Sequence, residues 1–159
     1  MIKNPDNLMS KLNGKVFMYL FIAGVIGTLY FEFCNIISTN FFDKSIQPVV
    51  IASKLFKLIF GFEVSLYPAG MALHIFTGIV IYPLIYLFIL KNFPNSSVLV
   101  TGLVLGLTTW ILAQGIFSPM VGRPFMNGFG FFTFMSLFLH STYAWVVAFS
   151  FASLTRKLD

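Results

Sequence analysis

Apolar residues fall along this chain in four long blocks, about 16–37, 67–90, 98–117 and 128–154, separated by short polar punctuation. As a helix, at about 1.5 Å rise per residue, each block can cross a hydrocarbon core of about 30 Å. The last block carries no Asp, Glu, Lys or Arg. The pattern predicts an all-α polytopic membrane protein with four transmembrane helices in a single domain covering 1–159. Pro83 lies inside the second block, where it removes one backbone hydrogen bond and predicts a kink. The third block is expected to end at Phe117, before a Gly- and Pro-bearing loop over 118–127.

Lys3, Lys11 and Lys15 precede the first block, as they would a signal peptide. The block is too long for a typical signal, and Phe31-Glu32-Phe33-Cys34-Asn35 contains no small-x-small cleavage site. It therefore reads as an uncleaved signal anchor. The longest connection, 38–67, opens as a loop around Asn40, Asp43, Ser45 and Pro48. Residues 48–60 then read as a helix too short to cross the bilayer, closed by Gly61. Helical spacing puts Ser53, Lys54 and Lys57 on one face, which suits an amphipathic helix lying in the interface plane. Lys54 and Lys57 are expected to meet phosphate headgroups. Arg123, in Gly122-Arg123-Pro124, is either a solvated loop arginine or a contact to lipid phosphate, a partner or an anionic ligand.

Composition agrees with this reading. The chain is 58% hydrophobic and 9% charged, against about 25% charged in an ordinary soluble domain. Its net charge of +5 comes from ten basic residues scattered at segment ends. That distribution is a topology signal rather than a nucleic-acid footprint, so no nucleic-acid partner is expected. Four spans place both termini on one side, with Lys3, Lys11, Lys15, Lys91, Arg156 and Lys157; the other side has Lys44, Lys54, Lys57 and Arg123. The positive-inside rule then predicts cytoplasmic termini in an inner membrane. The single cysteine, Cys34, cannot form an intramolecular disulfide.

Within the blocks, small and polar residues recur at four-residue spacing, which puts them on one helix face. The stripes are Gly24, Thr28 and Glu32; Gly70, His74, Gly78 and Tyr82; Gly102, Gly106, Trp110 and Gln114; and Ser136, His140 and Ala144. The glycines predict close helix packing. The polar members predict an intramembrane cluster of Glu32, His74, Trp110, Gln114, His140 and Tyr143. An ionisable group at such depth faces protein or water rather than lipid. Glu32, the sole carboxylate inside a block, can alternatively snorkel to the interface. Beside a histidine it can form an ion pair, a shared-proton pair or a neutral hydrogen-bonded pair.

Two histidines on separate spans also fit axial ligation of a b-type haem by His74 and His140, set against structural histidines or a proton relay. There is no His-Glu-x-x-His, Gly-x-Ser-x-Gly, cysteine pair, phosphate loop or dinucleotide fingerprint. This leans away from an enzyme acting alone.

His74 with Gly78, the loop over 119–130, and Leu139-His140 followed by Tyr143 resemble a class of small bacterial four-helix inner-membrane proteins with no assigned activity. In that class the last histidine is followed by Tyr-Gly, where this chain has Tyr143-Ala144 after Ser141 and Thr142. The resemblance implies topology alone. The sequence thus carries three functional expectations. The first is a non-enzymatic accessory or scaffold subunit of a larger, respiratory-type membrane complex. The second is a haem-binding electron-transfer protein, and the third a proton-coupled transporter using Glu32 and the histidines. Expected partners are the lipid bilayer and either other membrane subunits or a second copy of the chain.

Overall fold

A computed structural model describes residues 14–39, 47–61 and 66–156. Lys3, Lys11, Lys44 and Lys157 of the charge comparison lie outside the described residues. The elements are α1 (Gly14–Thr39), α2 (Pro48–Phe60), α3 (Leu66–Phe76, Thr77–Ile81 and Tyr82–Asn92 in continuous sequence), α4 (Val98–Trp110, Ile111–Phe117 and Ser118–Met120) and α5 (Phe131–Thr155). No strand occurs among the described residues. Four helical stretches are long and apolar enough to cross a membrane: Gly14–Ser38, Tyr67–Asn92, Val98–Met120 and Phe131–Thr155. The chain is an all-α, multi-pass membrane protein with a short additional helix, as the apolar blocks predict.

The spans alternate in direction and close a ring in which α1 packs on α3, α3 on α4, α4 on α5 and α5 on α1. The first and last spans are therefore neighbours. Large apolar side chains such as Phe17, Phe21, Phe33, Phe88, Phe134 and Phe138 point outward, as a hydrocarbon solvent requires. Lys15, Lys91 and Arg156 stand at one end of the bundle; Lys54, Lys57 and Arg123 stand at the other, called here the α2 end.

The two ends differ in packing. At the terminal end Val16, Leu20, Ala23, Tyr86, Leu105, Val147 and Phe151 form a continuous buried core. Tyr86 bonds the Thr101 hydroxyl at 3.2 Å and meets the Phe151 ring edge-on at 6.0 Å. The α2 end is hollow.

Helix widening shapes that hollow end. Thr77–Ile81 and Ile111–Phe117 are π-helical, and each stretch ends two residues before a proline, Pro83 and Pro119. A proline has no N–H and its ring crowds the carbonyl four residues back. The helix opens by one residue instead: Tyr82 N–H donates to Thr77 O, and Ser118 N–H donates to Ala113 O, both five residues back. The expectation that α4 ends at Phe117 is corrected here, because its helix passes through Pro119 to Met120. The widened turn absorbs the proline that would otherwise end the helix.

Helix α2 has the expected bounds, starts on Pro48 and stops at Gly61, which takes φ 70°. Its faces differ from the expected ones. Ser53 does not share a surface face with Lys54 and Lys57. It is buried, its hydroxyl donates to Val49 O at 2.8 Å, and it packs with Val49 against Gly70 of α3. Lys54 and Lys57 are exposed.

Candidate functional site

At the α2 end the spans and α2 enclose a cavity of about 390 Å³. Its walls take Thr28 and Phe31 from α1, His74, Gly78 and Tyr82 from α3, Gln114 from α4, and His140 and Tyr143 from α5. Along each span these residues sit one or two turns apart on the inward stripe, so four-residue spacing is what aims them at a common centre.

Beside the cavity, His74 Nε2 and Glu32 Oε1 lie 2.6 Å apart, joining α3 to α1. The two side chains retain 19% and 22% exposure, so the pair is not sealed. Phe31, one residue earlier on α1, packs its ring against both imidazoles, 5.6 Å from His74 and 5.9 Å from His140.

His140 is tied to α4 through Thr109. The Thr109 hydroxyl lies 3.1 Å from Gly106 O, which can accept its proton. The Thr109 oxygen also lies 3.2 Å from His140 Nδ1, a hydrogen bond whose donor is set by the imidazole tautomer. Tyr143, one turn further along α5, donates its hydroxyl to Gly78 O at 2.6 Å. Gly78 lies in the first widened stretch, and the residue five ahead of it is Pro83, which has no N–H to offer. Tyr143 thus satisfies a carbonyl that the proline leaves without its helical donor.

A second polar group closes the cavity wall between α4 and α5. Gln114 donates to the Ser136 hydroxyl at 2.8 Å and accepts from Asn127 Nδ2 at 2.5 Å. Asn127 belongs to a short 3-10 turn, Phe125–Phe129, where Met126, Asn127, Gly128 and Phe129 all take positive φ. Three of these are not glycine and are held in the left-handed region by anchors such as Thr133, whose hydroxyl donates to Met126 O at 2.5 Å.

Among the residues singled out from the sequence, His74, Gln114, His140 and Tyr143 line the cavity, and Glu32 adjoins it through His74. Trp110 does not line it; its indole N–H donates to Thr133 O at 3.2 Å across the α4–α5 seam. Lys54, Lys57 and Arg123 lie outside the lining. Phe31, Thr109 and Asn127 join the site without having been singled out. Phe31 and Thr109 carry no sequence signal, since one looks like lipid-facing bulk and the other like ordinary helix filler. Asn127 had one: Asn-Gly marks a turn at positive φ. Among the described residues no cluster of His, Cys, Asp or Glu suits a metal ion.

The model of a family described as "Family of unknown function (DUF6789)" matches residues 15–159. The chain belongs to that family. The match takes in every span, so the ring of helices and the hollow end both lie within the family's extent. No curated protein and no solved structure matches the chain.

Proposed function

We propose that this protein is a small proton-coupled carrier of the inner membrane that takes its cargo into the cavity and exchanges a proton at the Glu32–His74 pair. The observation that carries this reading is the 2.6 Å carboxylate–imidazole contact beside a cavity of about 390 Å³ shared by all four spans. Cavities of about 300–1,000 Å³ with mostly apolar walls and a few convergent polar groups are the usual form of small-molecule sites. With one proton between them, Glu32 and His74 are neutral as a unit, whichever partner holds it. Gain or loss of a proton leaves a net charge in a poorly solvating place, and bound cargo shifts that balance. The widened turns before Pro83 and Pro119 supply two spans with points at which to bend. Both termini are taken as cytoplasmic, from the basic residues on their side of the membrane.

An accessory subunit, the role that small size and scarce catalytic groups suggest, leaves this cavity without a use. The outward apolar faces are those that lipid alone requires. Haem ligation by His74 and His140 would have a macrocycle competing with Phe31, which packs on both rings, and would compete with Glu32 for His74 Nε2.

Protein released from its own membranes should retain a small molecule detectable by native mass spectrometry. Its retention should change by about tenfold per pH unit where one proton is linked to binding. Glu32→Gln should shift or weaken that pH dependence, since the imidazole loses its carboxylate partner. A preparation holding nothing beyond phospholipid, or one whose retained molecule ignores pH in both proteins, contradicts the carrier reading.

A further inference from the structure

Around the cavity, three of the four seams between neighbouring spans are closed by side chains. Phe31 of α1 lies against His140 and Tyr143 of α5, at 5.9 and 6.2 Å. Glu32 and His74 join α1 to α3 at 2.6 Å, and Gln114 joins α4 to Ser136 of α5 at 2.8 Å. The α3–α4 seam is different. Tyr86 and Thr101 tie it at the terminal end, 3.2 Å apart. Nearer α2 the two helices diverge, and among the described residues no hydrogen bond, ion pair or ring contact joins Leu66–Ile81 to Ile111–Met120. Both arms of this cleft are the widened stretches, Thr77–Ile81 and Ile111–Phe117.

The cleft leads into the cavity. Thr77 and Ile81 line the cavity on one side of it, and Leu112 and Phe117 on the other. Ile81 is also 39% exposed, so cavity wall and outer surface meet there. Ile81 and Leu112 stand near the middle of the spans Tyr67–Asn92 and Val98–Met120. An opening at that depth gives onto hydrocarbon rather than water. No Asp, Glu, Lys or Arg lines the cavity among the described residues, so a charged ligand would lose its hydration without a counter-charge.

The vertex of the cleft carries one unused polar group. Tyr82 follows Ile81 and lines the cavity. The hydroxyls of Tyr86 and Tyr143 are bonded, to Thr101 and to Gly78 O; that of Tyr82 makes no hydrogen bond among the described residues. Nor is it sealed, because Thr28 Oγ1 is the sole unpartnered side-chain polar atom without accessible surface among those residues. A phenol is a better donor than acceptor, since its oxygen shares electron density with the ring. What Tyr82 lacks is therefore an acceptor.

We infer that the cavity takes an uncharged, lipid-dissolved molecule that enters sideways through the α3–α4 cleft and accepts the Tyr82 O–H on a carbonyl oxygen. The apolar remainder of the molecule lies along the cavity toward Ile51 and Leu55 of α2. This rests on the carrier reading for the use of the cavity, and adds the class of cargo and its way in.

The test uses the full chain in lipid nanodiscs with 2-tridecanone, tridecane and ionised tridecanoate as probes. Tyrosines carry ¹³C at Cζ, and the Tyr82 signal is identified by its loss in Tyr82→Phe. The ketone should move that signal saturably. At equal mole fraction in the bilayer it should bind about tenfold more tightly than either tridecane, which has no acceptor, or the carboxylate, with both read by competition. Tyr82→Phe removes an oxygen that bonds nothing in the fold, so it should fold like the parent and bind ketone no better than tridecane. A nitroxide on Ala113→Cys, in a Cys34→Ser background, should collide with dissolved oxygen far more often than with a water-soluble nickel chelate. Ketone affinity equal to that of tridecane or tridecanoate, or unaltered in Tyr82→Phe, overturns the carbonyl assignment, as does the absence of saturable binding. Preferred collision with the chelate overturns sideways entry. If the pH-linked retention of the native molecule persists through either failure, the carrier reading stands without this inference.

Discussion

Gly106→Leu is expected to disrupt the bundle. A Cβ at Gly106 would lie 2.8 Å from Ser141 Cα and 3.3 Å from His140 O. Both neighbours are backbone, so no change of rotamer relieves the contact, and α4 and α5 must separate. Side-chain bonds across the same seam include Trp110 to Thr133 O at 3.2 Å, Gln114 to Ser136 at 2.8 Å, and His140 to Thr109 at 3.2 Å. Overpacking a tight contact costs about 1–3 kcal/mol, and each weakened hydrogen bond adds about 1 kcal/mol. A loss of about 4 kcal/mol is then expected, a large share of an ordinary domain's stability of about 5–15 kcal/mol. Unfolding in detergent followed by circular dichroism reads it as a marked fall in midpoint. Gly14→Leu is the control, since a Cβ there meets nothing within 4 Å, and it should stay within about 0.5 kcal/mol of the parent. Equal behaviour of the two variants would show that the α4–α5 seam is not closely packed.

Gln114→Leu should be the next most costly change. Leucine nearly preserves the volume but removes the acceptor for Asn127 and the donor to Ser136. Two polar groups then lose their partners, at about 1–3 kcal/mol each where nothing replaces them. The Asn127 side chain then keeps a long contact, 3.5 Å, from the Ser118 hydroxyl to its Oδ1. The left-handed turn over Phe125–Phe129 depends on such anchors, because a non-glycine residue at positive φ costs about 1–2 kcal/mol. A global loss of about 2–4 kcal/mol is expected, together with faster amide exchange at 125–129 than at the terminal end of the bundle. Unchanged exchange in that turn would mean that Gln114 does not hold it.

Much of this architecture is written openly in the chain. Runs nearly free of charge mark the spans because hydrocarbon tolerates few unpaired charges, and Pro48 and Gly61 bracket α2 because one fits the first turn and the other leaves in the left-handed region. Four-residue spacing likewise marks the inward stripes bearing His74, Gln114 and His140. Spacing is blind to which stripe meets which, so the contacts Glu32–His74 and Thr109–His140 emerge only from the closed ring. The widened turns are also hard to read. Pro83 predicts a disturbed helix, yet a kink, a break and a π-turn all answer the same missing N–H; at Pro119 the neighbouring Ser, Met and Gly resemble a loop. Ser53 illustrates a further limit. Its angular position beside Lys57 suggests a polar face, but Gly70 opposite leaves room for a small residue with an internally satisfied hydroxyl.

The central claim is that polar side chains from separate spans meet in one membrane-embedded interior. The chain's two histidines, His74 and His140, make this directly measurable, since ¹⁵N-histidine labelling of protein in lipid bilayers yields signals from those two rings alone. Solid-state NMR should show the His74 ring signals moving in Glu32→Gln while His140 stays in place, and the His140 signals moving in Thr109→Val while His74 stays in place. Signals from both rings that ignore both substitutions would contradict it.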